Sequence, residues 1–87
     1  MNRSVPMTKG GELGMQKFAE WLKFARSTFG MSQRELADAV GLERKTILCF
    51  ETCKRAPRLD DICRMMECFG VDRLVIDIRD VADKSDN

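Results

Sequence analysis

The spacing of apolar residues predicts helices over most of this chain. From Met15 onward, one helical face collects Phe18, Trp21, Leu22, Ala25 and Phe29. These residues stand at i, i+3, i+4, i+7 and i+11, a spacing that places them on one side of a helix. Gly30 follows directly and predicts the end of this first helix.

A second helix is predicted to begin after Ser32. The four residues from 32 to 35 read Ser-Gln-Arg-Glu, which has the form of a capping box. In that motif the Ser32 hydroxyl accepts a hydrogen bond from the Glu35 amide, and the Glu35 carboxylate accepts one from the Ser32 amide. The apolar face of this helix comprises Leu36, Ala37 and Val40. Gly41 stops it after about two turns, because the turn there requires a positive φ angle.

The third helix is predicted to start near residue 43 or 44. At about 100° per residue, Ile47 and Phe50 define its apolar side, and Thr46 and Glu51 flank them. The opposite side carries Lys45, Leu48, Cys49 and Thr52. Pro57 lies beyond the end of this helix.

A fourth helix follows, and its predicted apolar face comprises Leu59, Ile62, Cys63, Met66 and Phe69. Asp60 and Asp61 fall in its first turn, where carboxylates suit the helix dipole. Gly70 closes the helix. On this face Cys63 is expected to be a packing residue, whereas Cys68 lies off it and is expected to face solvent or a partner subunit.

The last apolar segment, residues 73–81, fits two patterns. Leu74, Ile76 and Ile78 alternate with other residues as in a strand. A helical stripe also fits, through Leu74, Val75, Ile78, Val81 and Ala82. The density of β-branched residues favours the strand. Because a lone strand cannot satisfy its own backbone, we expect it to pair with the same strand of a second chain.

The composition indicates one soluble domain of a small protein. The chain has 87 residues, and its net charge is +3 over residues 1–33, +2 over 34–59 and −4 over 60–87. A basic body with an acidic end favours an anionic partner at the basic side, although an ordinary solvated surface would look similar. No stretch is long and apolar enough to predict a membrane span or a secretory signal, so we expect a cytoplasmic protein.

These patterns divide the chain into four parts. Residues 1–14 are expected to be a flexible N-terminal arm, 15–71 a helical domain, 72–82 a strand for dimerisation and 83–87 a disordered tail. The sequence contains four cysteines, at 49, 53, 63 and 68, and no histidine. Their spacing matches none of the common zinc patterns, and no catalytic set or phosphate-binding loop is visible. We therefore expect no metal, no cofactor and no enzymatic activity.

Three positions in the second and third helices meet the requirements of a helix-turn-helix. Ala37 is small where a second helix must cross closely, Gly41 forms the turn, and Ile47 is the buried β-branched residue. From about Phe18 to Val71, the chain resembles the lambda-repressor-like helix-turn-helix domains, of the Cro/C1-type or XRE family. The matching elements are Ser32-Gln33, Glu35-Leu36-Ala37, Gly41, Thr46-Ile47, Glu51, Lys54-Arg55, Pro57 and Gly70-Val71.

The resemblance implies a mainly α fold of four to five helices, here followed by a strand paired across a homodimer. It also implies that the third helix enters the major groove of double-stranded DNA. The residues expected to contact DNA are Gln33, Arg34, Arg44, Lys45, Thr46, Leu48, Cys49, Thr52, Lys54 and Arg55. Arg44 could bind a guanine edge, while Lys54 and Arg55 would contact phosphates. The residues expected at the dimer interface are Leu74, Ile76 and Ile78.

Five residues depart from the family pattern: Leu48 and Cys49 stand at groove-facing positions where polar residues are common, and the other three lie near helix ends. Glu43 stands where the cap of the third helix is usually Ser or a similar residue, and Arg58 is a poor cap for the fourth helix. Cys53 occupies a loop position that is typically Gly. We therefore expect Cys53 to adopt a strained left-handed conformation, at a cost of about 1 kcal/mol.

Three functions fit this pattern. The first is a transcriptional repressor that acts as a homodimer on a palindromic operator. The second is the antitoxin of a kinase-type toxin, because a short helix-turn-helix domain followed by one strand resembles such antitoxins, and the acidic tail suits a toxin partner. The third is a protein-interaction module without DNA binding, which the apolar Leu48 and Cys49 on the outer face of the third helix would support.

Overall fold

The structure is a computed structural model, and it describes residues 7–79. Four helices build this part of the chain. They are α1 (Lys9–Thr28), α2 (Gln33–Val40), α3 (Arg44–Glu51) and α4 (Leu59–Phe69). The mainly α class is confirmed, and no strand is assigned within residues 7–79. Over the same residues, no helix combines the length and apolar character that crossing a bilayer would need.

The first helix begins earlier than the sequence pattern predicts. It starts at Lys9, so the prediction of a flexible arm was wrong for residues 9–14, and residues 1–6 lie outside the described part. The Thr8 hydroxyl caps the helix by accepting from the Gly11 amide at 2.9 Å. Glycines are poor helix formers, but here they make room for a neighbour. A Cβ atom at Gly10 would lie only 3.0 Å from the Ile78 Cδ1 atom.

The core lies where α1 packs against the three shorter helices. Its fully buried large side chains are Phe18, Leu22, Leu36, Ile47, Phe50 and Met65. The predicted faces of α1, α2 and α3 therefore point inward, except that Phe29 is exposed at its edge and stacks on the Phe69 ring with centroids 5.4 Å apart. Each of these buried side chains contributes about 1.5–3 kcal/mol of hydrophobic stabilisation.

The buried face of α4 differs from the predicted one. Its buried residues are Asp61, Met65 and Phe69, whereas Leu59 is 75% exposed and Cys63 is exposed. The prediction that Cys63 is a packing residue was therefore wrong. Leu59 is the first residue of the helix and makes no core contact there. Asp61 is buried, and its Oδ2 atom accepts a hydrogen bond from the Arg58 amide at 3.1 Å, which caps the helix. Its Oδ1 atom is buried without a hydrogen-bond partner among the described residues.

All four helices end in the same way. The residue that closes each one has a positive φ angle: Gly30 (66°), Gly41 (74°), Cys53 (60°) and Gly70 (71°). The next amide then returns to a carbonyl five residues back, from Met31 to Arg26, from Leu42 to Ala37, from Lys54 to Cys49 and from Val71 to Met66. This is the Schellman arrangement. After α1, α2 and α4 the next residue packs on the core, whereas Lys54 after α3 is exposed.

The segment after α4 runs back along α1. Leu74 and Ile76 pack against the core, and Val75 between them is 81% exposed, so the side chains alternate as in an extended chain. No strand is assigned, because no backbone hydrogen bond joins this segment to another part of residues 7–79. The remainder of the predicted strand and the predicted tail, residues 80–87, lie outside the described part.

Candidate nucleic-acid interface

Helices α2 and α3 form a tight two-helix unit around a glycine turn. Ala37 and Ile47 are both buried between the helices, together with Leu36 and Phe50. Gly41 has the left-handed conformation that the turn requires. The capping box at the start of α2 is also present, since Ser32 and Glu35 exchange hydrogen bonds of 2.8 and 3.0 Å. The structure thus contains the helix-turn-helix that the sequence predicts.

One face of α3 is open to solvent and carries most of the predicted DNA contacts. Arg44, Lys45, Leu48 and Thr52 are exposed on it. Thr46 and Cys49 are half-buried at the two borders of this face. The Thr52 hydroxyl donates to the Leu48 carbonyl at 2.8 Å, which fixes its orientation at the end of the helix. We call this surface the outer face of α3.

A chain of side-chain hydrogen bonds connects α1 with the start of the outer face. The Arg26 guanidinium donates to both oxygens of Glu51, at 2.7 and 3.0 Å. The Gln33 amide group donates to Glu51 at 3.0 Å and accepts from Arg44 at 3.1 Å. The chain Arg26–Glu51–Gln33–Arg44 therefore joins the first three helices and holds the Arg44 side chain against α2.

The ion pair at the base of this chain is well shielded from solvent. The Glu51 side chain is 3% exposed and that of Arg26 is 20% exposed. The hydrogen bond with Glu51 raises the pKa of Arg26, and this effect outweighs the opposing effect of desolvation. Arg26 also donates to the Met31 carbonyl at 2.9 Å, just after α1 ends. A bidentate pair of this kind fixes geometry as well as charge.

Sequence reasoning did not find the ion pair. Arg26 and Glu51 are 25 residues apart, and no local pattern connects them. One signal was available, because Glu51 flanks the apolar side of α3 next to Phe50. A carboxylate at the border of a buried face usually has a partner.

The loop after α3 presents two further predicted contacts. Lys54 and Arg55 are both exposed, and the Arg55 guanidinium lies 6.0 Å from the centre of the Phe50 ring, within the range of a cation–π contact. Cys53 is the only residue other than glycine with a positive φ angle within residues 7–79. Its Sγ atom lies 3.9 Å from the Met15 carbonyl of α1. The left-handed conformation expected of Cys53 is therefore present.

The remaining predicted contacts lie at the start of α2. Gln33 is half-buried because its amide belongs to the hydrogen-bonded chain, and Arg34 is exposed. Glu43, which precedes α3, caps it through its backbone carbonyl and makes no side-chain cap. The structure therefore brings Gln33 and Arg44 into contact, while Arg34 stands apart from the hydrogen-bonded chain on the same helix as Gln33.

The four cysteines do not form a common site. All of them are free thiols; Cys49 and Cys53 are half-buried, and Cys63 and Cys68 are exposed on α4. Over residues 7–79, no three residues with Cys, Asp, Glu or His side chains come close enough together to hold a metal ion.

The fold is similar to solved structures of transcriptional regulators. A crystal structure of a hypothetical transcription factor, NHTF, from Neisseria matches with a TM-score of 0.65 and 26% identity, over 80% of this chain and 78% of that chain. A point mutant of the restriction-modification controller protein C.Esp1396I matches with a TM-score of 0.59 and 26% identity, over 70% of this chain and 77% of that chain. No family model and no curated protein matches the sequence.

Proposed function

We propose that this protein is a sequence-specific DNA-binding transcriptional regulator, a repressor that acts as a homodimer on a palindromic operator. The proposal rests on one observation above all. A helix-turn-helix presents the exposed Arg44 and Lys45 at the start of its second helix, and Arg44 is held in place by Gln33. The similarity to solved transcriptional regulators supports a regulatory rather than an enzymatic role.

In this proposal the residues divide between base and phosphate contacts. The outer face of α3 enters the major groove, where Arg44 donates to a guanine edge and Leu48 contacts a thymine methyl group. Lys54 and Arg55 contact the phosphates beside the groove. Gln33 positions Arg44 from α2, and its amide nitrogen, which uses one hydrogen on Glu51, has a second hydrogen to donate to DNA.

Two alanine variants separate these roles. Lys54→Ala should weaken binding to every duplex and reduce the slope of log affinity against log salt by about one unit, since one phosphate contact is lost. Arg44→Ala should cost about 1–3 kcal/mol at one base position and leave binding to unrelated duplexes nearly unchanged. Lys23→Ala, which removes an exposed lysine of α1 outside the predicted contacts, is the matched control.

The measurement is a fluorescence titration of duplex DNA at several salt concentrations. The specific site would first be selected from a pool of random duplexes. No binding to any duplex at low salt would contradict the proposal and favour the protein-interaction module instead. Equal effects of all three variants would contradict the division of roles between Arg44 and Lys54.

The homodimer belongs to the proposal as well. A helix-turn-helix dimer places two recognition helices about one turn of DNA apart, and a palindromic operator mirrors that symmetry. A cytoplasmic location follows from the proposed contact with DNA. The antitoxin alternative depended on a strand after the helix-turn-helix domain and on an acidic tail. No strand is assigned within residues 7–79, and residues 80–87 lie outside the described part.

A further inference from the structure

Three exposed side chains of the outer face form a row whose chemistry changes along α3. Arg44, Leu48 and Thr52 are four residues apart, so they lie on one side of the helix, about 6 Å from one to the next along its axis. Arg44 is a hydrogen-bond donor, whereas Leu48 is apolar and 37% exposed. Thr52 directly follows the last residue of α3. The row therefore presents a donor, then an apolar group, then a hydroxyl.

The Thr52 hydroxyl accepts a hydrogen bond from DNA at less cost than it donates one. It donates its own hydrogen to the Leu48 carbonyl at 2.8 Å. A hydroxyl oxygen also has two acceptor positions, which this bond leaves unused. Donation to a base would first break the bond with the Leu48 carbonyl, whereas acceptance from a base breaks no bond. Thr52 therefore places an acceptor beside the apolar side chain of Leu48.

We propose that Leu48 and Thr52 together recognise 5-methylcytosine, so that the protein binds its operator more tightly when one cytosine is methylated. This inference rests on the proposed function and names the base that suits the middle of the outer face. In the major groove, 5-methylcytosine displays a C5 methyl group next to the N4 amino donor of cytosine. The methyl group suits Leu48, and the amino group suits the Thr52 oxygen. Side chains one helical turn apart have Cβ atoms about 5–6 Å apart, so both can contact one base.

The unmodified bases satisfy only part of this pattern. Thymine carries the same methyl group, so contact with Leu48 alone does not distinguish it from 5-methylcytosine. Its O4 atom is an acceptor, however, and would face the Thr52 oxygen. Cytosine and adenine offer an amino donor without a methyl group, and guanine offers two acceptors. Among these bases, 5-methylcytosine is therefore the one that suits both side chains.

The neighbouring outer-face residues leave this base to Leu48 and Thr52. Cys49 is half-buried at the border, and its thiol is only a weak donor. Arg44 is held by Gln33 at 3.1 Å, one turn before Leu48, where it would donate to a guanine edge. One helical turn corresponds to about two base pairs at a rise of about 3.4 Å. We therefore expect the methylated cytosine about two base pairs from the guanine that Arg44 contacts.

Duplexes that differ by single base modifications test the proposal. At each position of the selected site, the base is set in turn to cytosine, 5-methylcytosine, thymine and uracil, each with its complementary partner, and the affinity is measured by fluorescence titration at one salt concentration. At one position, 5-methylcytosine should bind about fourfold more tightly than cytosine, which is the contribution of one buried methyl group. It should also bind about two- to tenfold more tightly than thymine, because one hydrogen bond is added.

Protein variants assign the two preferences to their side chains. Leu48→Ala should remove the preference for 5-methylcytosine over cytosine. Thr52→Val has nearly the same shape without the acceptor, so it should remove the preference over thymine and keep the preference over cytosine. Thr28→Val is the matched control, because the exposed Thr28 at the end of α1 also donates to the carbonyl four residues before it, at 2.8 Å. It should keep both preferences, and circular dichroism verifies that each variant is folded.

Equal affinity for cytosine and 5-methylcytosine at every position would overturn the proposal, and this test needs only the wild-type protein. A methyl preference that persists in Leu48→Ala would also overturn it, because the preference would then come from the shape of the methylated duplex. A preference over thymine that persists in Thr52→Val would overturn the role of Thr52. Tight binding without any methyl preference would refute only this inference, whereas no binding to any duplex would refute the proposed DNA-binding function itself.

Discussion

Replacing Cys53 by glycine should stabilise the protein, because this residue closes α3 in a conformation that suits glycine. The other three helices are closed by Gly30, Gly41 and Gly70 at nearly the same φ angle. A side chain in the left-handed region costs about 1–2 kcal/mol, since its Cβ atom crowds the backbone. Cys53 carries that cost at φ 60°.

The expected magnitude follows from three contributions. Glycine removes the left-handed cost, but it also loses about 0.5–1 kcal/mol of unfolded-chain entropy relative to other residues. The Cys53 thiol makes only a long contact of 3.9 Å with the Met15 carbonyl, so little is lost with it. Cys53→Ala separates these effects, because alanine removes the thiol and keeps the strain. We expect the glycine variant to exceed the alanine variant by about 1 kcal/mol in free energy of unfolding.

Thermal unfolding measures this difference directly. About 1 kcal/mol corresponds to a Tm difference of roughly 4–8 °C in a domain of this size. The chain offers its own calibration at Gly70, where an added Cβ would meet nothing within 4 Å. Gly70→Ala should therefore lower the free energy of unfolding by about the same amount that separates Cys53→Gly from Cys53→Ala. A glycine variant no more stable than the alanine variant would refute the reasoning and show that the thiol itself stabilises the turn.

Three further predictions concern the ion pair, α1 and the outer face of α3. Glu51→Gln should lower the free energy of unfolding, measured by urea denaturation, by about 2–4 kcal/mol. This loss is somewhat smaller than for a fully buried ion pair because Arg26 is partly exposed. A loss below about 1 kcal/mol would contradict a structural role for the ion pair. Gly14→Ala should raise Tm, by the equivalent of about 0.5–1 kcal/mol, because alanine favours the helix more than glycine does. The added Cβ atom would meet the Ile78 Cγ2 atom at 3.5 Å, an ordinary contact distance. A lower Tm would mean that Ile78 needs to pack closer to α1 than an alanine allows. In a protein with Cys53 replaced by glycine and the two exposed cysteines of α4 replaced by serine, Cys49 is the remaining thiol, and blocking it with a bulky maleimide should abolish duplex binding. Unchanged affinity in a gel-shift assay would exclude the border of the outer face from the DNA contact.

Local signals in the sequence predicted the helix-turn-helix well. The capping box of Ser32 and Glu35 acts over three residues, and the turn at Gly41 needs a conformation that few residues other than glycine adopt. The burial of Ile47 and Phe50 followed from a helical period that tertiary contacts did not alter. These features depend on neighbours along the chain, so the sequence contains most of the information that decides them.

Features decided by distant contacts were not predictable in the same way. Gly10 is a poor helix former and indicated a flexible arm, yet it lies within α1. There it leaves room for the Ile78 side chain, which is far away in sequence. The buried face of α4 depends on where α1–α3 meet it, so Met65 is buried where Cys63 was expected. The partnership of Arg26 with Glu51 spans two helices. In each case the deciding partner is far away in sequence.

The two arginines in the hydrogen-bonded chain Arg26–Glu51–Gln33–Arg44 are held by contacts of very different strength. The Glu51 carboxylate binds Arg26 in a shielded, bidentate contact. Removing either side chain would leave the other without an oppositely charged partner. Arg44 is bound by the neutral amide oxygen of Gln33 through one exposed hydrogen bond, which is worth only about 0.5–1.5 kcal/mol. Arg44 is therefore held in a defined place and can still exchange Gln33 for a new acceptor at little cost. A glutamate at position 33 would compete with any such acceptor, so the uncharged amide is what keeps Arg44 available.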